Sequence, residues 1–288
     1  MSVMSTSLGA ARARQRKDFV LGVLLRAAAL ITALIALGLS LSIVVGALPN
    51  VTLEMLTTAP SYVEERIGLL PDMLNTIWLI VTALALVIPM GVGTAVWLTE
   101  YAPSGKLSAA VEYAVETLAG IPSIIFGLVG MLIFCQWMGL QTSLLAGALT
   151  LMVMNLPTVI RTTQESLRAV DPALREAALG LGAMKWHMIR TIVLPSAARG
   201  MVTGAVLSVG RMLGESAALL FTAGFAHTVH GYWEGMRSAG ASLSVSLYVY
   251  AKEQGEFEVA FVIALLLLLL SVLVNLVAAY FGRSLRRN

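Results

Sequence analysis

The sequence predicts an all-α, polytopic membrane protein with six transmembrane helices. Of its 288 residues, 58% are hydrophobic and only 12% are charged, and the mean hydropathy is +0.85. Water-soluble domains carry about 25% charged residues. The net charge of +3 is small and indicates no nucleic-acid partner, because basic residues in membrane proteins mostly mark the cytoplasmic side. The single cysteine, Cys135, excludes an internal disulfide and a cysteine-based metal cluster.

Six apolar stretches are long enough to cross a lipid bilayer, which takes about 20 mostly apolar residues in a helix. They lie at about 19–47, 74–98, 118–138, 142–160, 200–224 and 258–281. The first stretch is too long for the apolar part of a signal peptide, so we predict a retained anchor. Residues 105–120, which lead into the third span, are amphipathic at helical spacing and are predicted to lie at the membrane surface.

Lysine and arginine are distributed unevenly between the two sides of these spans. One side carries Arg12, Arg14, Arg16, Lys17, Lys106, Arg161, Arg168, Arg175, Lys185, Arg190, Arg199, Arg283, Arg286 and Arg287. The other side carries Arg66, Arg237 and Lys252. Because cytoplasmic segments hold the excess of basic residues, we expect both termini to be cytoplasmic. The predicted organisation is a cytoplasmic tail at 1–18, a transmembrane domain at 19–282 with a cytoplasmic loop at about 161–196, and a cytoplasmic tail at 283–288.

Three prolines, Pro89, Pro122 and Pro157, fall within the predicted spans. Proline removes a backbone donor and bends a helix, and lipid tolerates this only where neighbouring helices or a water-filled cavity satisfy the freed carbonyls. The prolines are compatible with two interpretations. The helices are either bent for packing, or they belong to a bundle that lines a pathway or moves.

The cytoplasmic loop between the fourth and fifth spans contains its own helical signals. Asp171 is a good N-cap and Pro172 suits the first helical position. A helix is predicted from there to Leu181, and Gly182 fits the left-handed residue that ends it. A second short helix follows, and Pro195 is predicted to stop it just before the fifth span.

The first of these short helices is predicted to expose Ala177, Ala178, Leu181 and Met184 on the cytoplasmic side, where no lipid covers them. Such a face fits the groove of a partner protein. A surface loop that packs back on its own bundle is the other interpretation. The residues alone leave both open.

The fifth span carries two charged residues, Arg211 and Glu215, in an otherwise apolar run. A charge in the middle of a span costs about 3 kcal/mol. The two residues are four apart, so a continuous helix would bring them to one face, where they could neutralise each other. The pair is either an internal salt bridge that specifies helix packing, or a guanidinium in the path of an anion with a glutamate that holds it in place.

Small residues in the same span form two pairs at a spacing of four, Gly200 with Gly204 and Gly210 with Gly214. Such pairs allow two helices to approach closely. The sequence does not say whether the partner helix belongs to this chain or to another one.

The loop as a whole resembles the EAA loop of ABC-importer permeases. The matching residues are Glu176, Ala177, Ala178, Gly182, Ile192, Leu194 and Pro195. The resemblance implies that the loop forms the coupling helix, which docks into a groove on a cytoplasmic ATPase. This chain contains no Gly-x-x-x-x-Gly-Lys-Ser/Thr phosphate loop, so ATP and magnesium would be bound by the partner ATPase and the chain itself would hold no cofactor.

Further segments resemble the PstA-type permeases of phosphate importers. They are "RMLGESAALLFTAGF" from Arg211, "LAGIPSIIFGLVG" from Leu118, "GVGTAVWLTEYAP" from Gly91 and "SLSVSLYVYA" from Ser242. The resemblance covers about residues 49–283, and the elements occur in the same order. Ser216 departs from the family, which more often has threonine there, but the hydroxyl is kept.

The resemblance implies the fold of an ABC type I importer permease in a bacterial inner membrane and a role in the import of inorganic phosphate. Glu176 and Gly182 would carry coupling to the ATPase, with Ala177 and Ala178 at the contact. Arg211 and Glu215 would lie near the translocation path. The partners implied are a second, PstC-like permease, two PstB-like ATPase subunits, an external PstS-like phosphate-binding protein, phosphate and the lipid bilayer.

Other functions remain as rivals. A permease for another oxyanion such as molybdate or sulfate has the same architecture, and a stand-alone secondary transporter or channel would need no ATPase. An enzyme is not expected, because no serine has a Gly-x-Ser-x-Gly context or a placed histidine. His227, His230 and Glu234 have a spacing compatible with a metal site, but without a further ligand we predict a solvated external loop.

Overall fold

The computed structural model describes residues 2–61, 66–102 and 105–284. Within these ranges, side chains are described from residue 19 to residue 280. The basic side chains before residue 19 and those of Arg283, Arg286 and Arg287, which contributed to the orientation prediction, therefore lie outside the described side chains.

The described part of the chain is almost entirely helical, which confirms the predicted all-α class. The α-helices are α1 (Ser2–Ala47), α2 (Leu53–Thr57), α3 (Leu70–Val96), α4 (Lys106–Ala119), α5 (Ser123–Gly130), α6 (Leu144–Arg168), α7 (Pro172–Gly180), α8 (Lys185–Met188), α9 (Leu194–Leu213), α10 (Ala217–Thr222), α11 (Tyr232–Gly235), α12 (Leu243–Tyr248) and α13 (Phe257–Ser284). Wider, π-helical turns cover Trp97–Tyr101, Met131–Trp137, Ile189–Val193 and Val249–Gln254. The described residues contain a single isolated β-bridge, between Ser61 and Arg66.

Five of the described helices are long and apolar enough to cross a membrane. They are Phe19–Ala47, Leu70–Tyr101, Leu144–Arg168, Lys185–Leu213 and Phe257–Tyr280. A bent pair of helices, Lys106–Ala119 with Ser123–Trp137, provides a sixth span if it is counted as one. The six-span prediction agrees with the structure on that count.

The third span differs from the prediction, because it does not run as one helix from residue 118. The chain bends by 106° between α4 and α5. Pro122 is the residue just before α5 and has an extended conformation, with ψ of 142°, as a residue without an amide proton favours at such a boundary. The third span is therefore a bent pair, in which the amphipathic helix α4 meets α5 at a sharp angle.

Helix α6 is the centre of the bundle and packs mainly against α3 and α9. Leu144, Leu151 and Met154 of α6 are fully or almost fully buried. The backbones of α6 and α9 approach closely, since a Cβ atom added at Gly200 would collide with Ser166 and one added at Gly204 with Thr162. The partner of this first glycine pair is thus α6 of the same chain.

The fifth span begins and ends earlier than predicted. Pro195 does not stop the preceding helix, because the wide turn at Ile189–Val193 joins α8 to α9 and Pro195 lies in the first turn of α9. At the other end, α9 stops at Leu213. The predicted span to residue 224 is therefore interrupted before the short helix α10.

Helix α1 is joined to the bundle at its C-terminal end. Ala47 is buried, and a Cβ atom at Gly46 would lie 2.9 Å from the ring of Phe261 in α13. The apolar side chains of α1 from Phe19 to Leu41 are exposed in the single chain. They form a surface that lipid or another membrane helix can cover.

Candidate functional site

Helix α7 has the local structure that the sequence predicts. The Asp171 carboxylate accepts a hydrogen bond from the amide of Ala173 at 2.9 Å, and Pro172 is the first helical residue. Gly182 follows the helix with φ of +83°, a conformation that side chains with a Cβ atom disfavour. The helix ends at Gly180, one residue earlier than predicted.

The four predicted coupling residues do not all lie on the surface. Glu176, Ala177 and Gly182 are exposed, whereas Ala178 is only 5% exposed. Ala178 packs into a cluster of buried residues from the wide turn after α3, from α6 and from the segment after α7, including Leu98, Leu167 and Ile189. The prediction that Ala178 is exposed is therefore wrong, because α7 needs one apolar side for its attachment to the bundle.

Several apolar side chains of α7 and of the turn that follows it are exposed. Leu181 is 90% exposed and Met184 is 79% exposed, and Leu174 and Leu179 are about half exposed. We call these four side chains, with Glu176 and Ala177, the coupling surface. A group of exposed apolar residues outside the predicted spans is a candidate for a protein-binding site.

An arginine that the sequence analysis counted only as a positive charge fixes α7 to the rest of the chain. Arg175 donates two hydrogen bonds to the Glu100 carboxylate, from Nη2 at 2.9 Å and from Nε at 3.3 Å. It also donates to the backbone carbonyls of Leu167 and Val170. The sequence signal that could have indicated this contact is Glu100, an acidic residue at the end of a span on the side rich in basic residues.

Arg211 and Glu215 do not form a salt bridge, which was one of the two interpretations that the sequence left open. The helix ends between them, so they no longer share one face. The Glu215 side chain accepts a hydrogen bond from the amide of Ala218 at 3.0 Å, and its backbone carbonyl accepts one from the Ser244 hydroxyl at 2.7 Å. Glu215 is 8% exposed. The Glu215 carboxylate therefore binds an amide at the start of α10 and not the guanidinium of Arg211.

Arg211 is left as an exposed cation in the last turn of α9. Within the part of the chain that the structure describes, it makes no ion pair or hydrogen bond. Its neighbours Leu207, Gly210 and Gly214 are exposed too, and a Cβ atom at Gly210 would meet nothing within 4 Å. The C-terminal part of α9 therefore has an open surface in the single chain, and a guanidinium with five N–H donors stands on it.

An apolar groove between two of the long helices is a poor site for an anion. It has a volume of about 760 Å³ and lies between α3 and α9, lined by apolar side chains such as Ile88, Val92, Met201 and Val202. An anion in such a groove would lose its hydration without gaining comparable partners. The lining of this groove therefore does not favour a charged ligand.

At the ends of the spans far from α7, a buried carboxylate joins three elements. Asp72 in the first turn of α3 is fully buried and accepts a hydrogen bond from the Ser246 hydroxyl of α12 at 2.6 Å. His227 Nδ1 lies 2.8 Å from the other Asp72 oxygen. The prediction of a solvated loop is wrong for His227, whose side chain is 16% exposed. His230 lies 3.5 Å from Glu234 and is more exposed.

Known proteins resemble this chain in sequence. Residues 87–287 match the family described as "Binding-protein-dependent transport system inner membrane component". The "Probable ABC transporter permease protein YqgI" of Bacillus subtilis is 37% identical over 68% of this chain and 67% of its own length. The "Phosphate transport system permease protein PstA 1" of Mycobacterium tuberculosis is 37% identical over 68% of this chain and 64% of its own length. The match to PstA of Xylella fastidiosa, at 36% identity, covers 61% of each chain.

Solved structures share the fold at lower identity. A structure of the MetNI methionine ABC transporter in an inward-facing conformation matches 75% of this chain and 95% of its own, with a TM-score of 0.64 and 22% identity. The bacterial alginate ABC transporter, solved with an alginate-bound periplasmic protein, matches 93% of this chain and 96% of its own, with a TM-score of 0.69 and 15% identity. The predicted importer-permease fold is confirmed.

Proposed function

Because this chain belongs to the family of binding-protein-dependent transport system inner membrane components, we propose that it is the permease subunit of an ATP-driven importer of inorganic phosphate. A chain of this family is a membrane-spanning transport subunit and not an enzyme. Relatives named as phosphate permeases, at 36–40% identity, support the substrate. Their matched regions cover about half to two thirds of their lengths, so substrate and partners are our inference.

The exposed, unpaired guanidinium of Arg211 carries this proposal. A guanidinium binds an oxyanion such as phosphate through two parallel hydrogen bonds. Arg211 stands on the open surface of α9, so a second, PstC-like permease facing it would enclose a path between the two chains. Glu215, already engaged at the start of α10, leaves the positive charge of Arg211 available to the anion while fixing the break in the span.

The coupling surface is proposed to bind the ATPase. Two PstB-like subunits would hold ATP and magnesium and hydrolyse the nucleotide, and Glu176, Ala177 and Gly182 would lie at or next to the contact. Ala178 would act from within by anchoring α7. An external PstS-like protein would deliver phosphate to the opposite side.

The proposed placement is a bacterial inner membrane with both termini in the cytoplasm. It rests on the distribution of basic residues and on the location of α7, which lies between two spans at their proposed cytoplasmic ends. The segments at 1–18 and 283–288 are proposed as cytoplasmic tails of a transmembrane domain at 19–282, whose loop at about 161–196 carries the coupling surface.

Uptake of labelled phosphate at low external concentration tests the function. Cells that lack this gene and any second phosphate importer are complemented with the wild type, Arg211→Gln or the control Arg26→Gln, which alters an exposed arginine of the first span. The wild type and the control are expected to restore uptake, and Arg211→Gln is not, at equal amounts in the membrane.

Three outcomes would contradict the proposal or a part of it. Competition of uptake by sulfate or molybdate would assign a different oxyanion. Phosphate transport by the purified chain in vesicles without an ATPase would identify a stand-alone transporter or channel. Restoration of uptake by Arg211→Gln would remove the arginine from the path.

A further inference from the structure

We propose that Arg175 is the positioning residue that ties the coupling helix α7 to two membrane spans, so that a movement of α7 displaces the cytoplasmic ends of both. This inference rests on the proposed function, since it concerns how the permease would respond to its ATPase. The residue lies next to Glu176 in the sequence but points away from the coupling surface and into the protein.

All three nitrogens of the guanidinium are used. Nη1 donates to the carbonyl of Val170 at 2.8 Å, and Nη2 donates to the carbonyl of Leu167 at 2.7 Å and to Glu100 Oε1 at 2.9 Å. Nε donates to the same Glu100 oxygen at 3.3 Å. The planar fork of arginine supplies donors in these directions at once, which the single nitrogen of a lysine cannot do.

These partners belong to different elements. Glu100 lies in the wide turn Trp97–Tyr101 that ends the second span, Leu167 lies in the last turn of α6, and Val170 lies just after α6. Carbonyls at the C-terminus of a helix have no amide partner within the helix and form the negative end of its dipole. One side chain of α7 therefore binds the cytoplasmic ends of α3 and α6 together.

The Arg175–Glu100 contact is more buried than another ion pair nearby. The side chains of Arg175 and Glu100 are 20% and 7% exposed. By comparison, Arg168 and Glu112 are separated by 3.7 Å, with exposures of 62% and 49%. Exposed pairs contribute little, whereas loss of one partner of a buried pair leaves an uncompensated charge. The Arg175 contact thus fixes the junction of α7 with the ends of α3 and α6. The exposed pair of Arg168 and Glu112 does not fix it.

The junction is connected to the proposed anion site by direct packing. Helix α6 packs along α9, where Gly200 and Gly204 lie against Ser166 and Thr162. Arg211 is in the last turn of that same α9. A displacement of α7 therefore passes through Arg175 to α6, and through the α6–α9 contact to the helix that carries the guanidinium. Each step is a physical contact between stiff elements.

The ratio of ATP hydrolysed to phosphate imported tests the inference in the assembled transporter reconstituted into vesicles. Arg175→Gln and Glu100→Gln are expected to raise this ratio at least about threefold, because ATP hydrolysis continues while the spans respond less. Arg175→Lys, which keeps the charge but not the fork, should give an intermediate ratio. Arg168→Gln, the matched control at an exposed pair, should give the wild-type ratio.

A wild-type ratio in both Arg175→Gln and Glu100→Gln would overturn the inference. If Arg175→Gln does not assemble with the ATPase, Glu100→Gln decides, since it leaves both carbonyl contacts of Arg175 in place.

A second measurement needs no substrate and separates the inference from the proposed function. A spin label is attached at Ala173→Cys, an exposed position of α7, after the single cysteine is replaced by Cys135→Ser. The label should be more mobile with Arg175→Gln than with Arg168→Gln. Equal mobility of the label in the two variants would overturn the positioning role of Arg175. A failure of the wild type to import phosphate would overturn only the proposed function.

Discussion

Replacement of Gly204 by alanine should destabilise the bundle by a cost that follows from the α6–α9 contact. The new Cβ atom would collide with the Thr162 hydroxyl and lie 2.9 Å from the Thr162 Cβ. Carbon atoms rest at about 3.5–4.0 Å, so the two helices must separate by roughly 0.6–1.1 Å. Rotation of the Thr162 side chain cannot relieve the clash, because the Thr162 Cβ atom is fixed to the backbone. The rotation would also break the 2.8 Å hydrogen bond from the Thr162 hydroxyl to the Thr158 carbonyl.

Overpacking of a tight interface costs about 1–3 kcal/mol. Alanine recovers up to about 1 kcal/mol through its higher helix propensity, so we expect a net loss of about 1–2 kcal/mol. One kcal/mol corresponds to about 2–4 °C in Tm for a chain of roughly this size. The expected shift for Gly204→Ala is a decrease of about 4 °C.

The assay uses the single cysteine of the chain. Cys135 is 7% exposed, so a thiol-reactive fluorophore labels it as the purified protein unfolds on heating in detergent. Gly210→Ala is the matched control, because nothing lies within 4 Å of its Cβ position. If Gly204→Ala and Gly210→Ala melt at the same temperature, the close contact between α6 and α9 in this structure is wrong.

Three further changes have distinct expected results. Asp72→Asn should lower the Tm in the same thiol assay, since it weakens the buried contacts with Ser246 and His227 at a cost of about 1–3 kcal/mol. Glu215→Ala should lower it too, because removal of a helix-capping side chain costs about 0.5–2 kcal/mol, whereas Glu215→Gln keeps an acceptor oxygen and should melt closer to the wild type. Gly182→Ala should reduce phosphate uptake without loss of protein from the membrane, because alanine at φ of +83° costs about 1–2 kcal/mol and reshapes the end of α7.

Each of these three expectations has its own contradicting result. An unchanged Tm for Asp72→Asn would exclude a stabilising role of the buried carboxylate, and Glu54→Gln, at an exposed ion pair, provides its control. Equal melting of Glu215→Ala and the wild type would exclude the capping role. Wild-type uptake by Gly182→Ala would show that the left-handed residue is not needed for coupling.

Features of the chain that depend on neighbours in the sequence could be predicted. The start of α7 at Pro172, its Asp171 cap and the left-handed Gly182 follow from local backbone chemistry, and the number of spans follows from the lengths of the apolar stretches. These signals need no knowledge of the tertiary structure.

The features that were missed depend on distant residues or on backbone geometry within apolar sequence. Glu100 and Arg175 are 75 residues apart, and Asp72 and Ser246 are 174 apart. The break after Leu213 was hidden because hydropathy stays high across it, and hydropathy reports solvent preference and not how backbone amides are satisfied. The exposure of Ala178 was misjudged because both sides of α7 carry apolar residues, and only packing decides which side faces inward.

The second span has a mechanical consequence. Its 32 residues, Leu70–Tyr101, form a rod about 48 Å long, which exceeds the apolar thickness of a bilayer of about 30 Å. A carboxylate is hydrogen-bonded near each end, Asp72 to Ser246 of α12 and Glu100 to Arg175 of α7. A helix that is fixed near both ends can transmit a displacement from one end of the bundle to the other along its backbone. Its weak point is Pro89, where the carbonyl of Ala85 lacks its usual amide partner and the rod can flex.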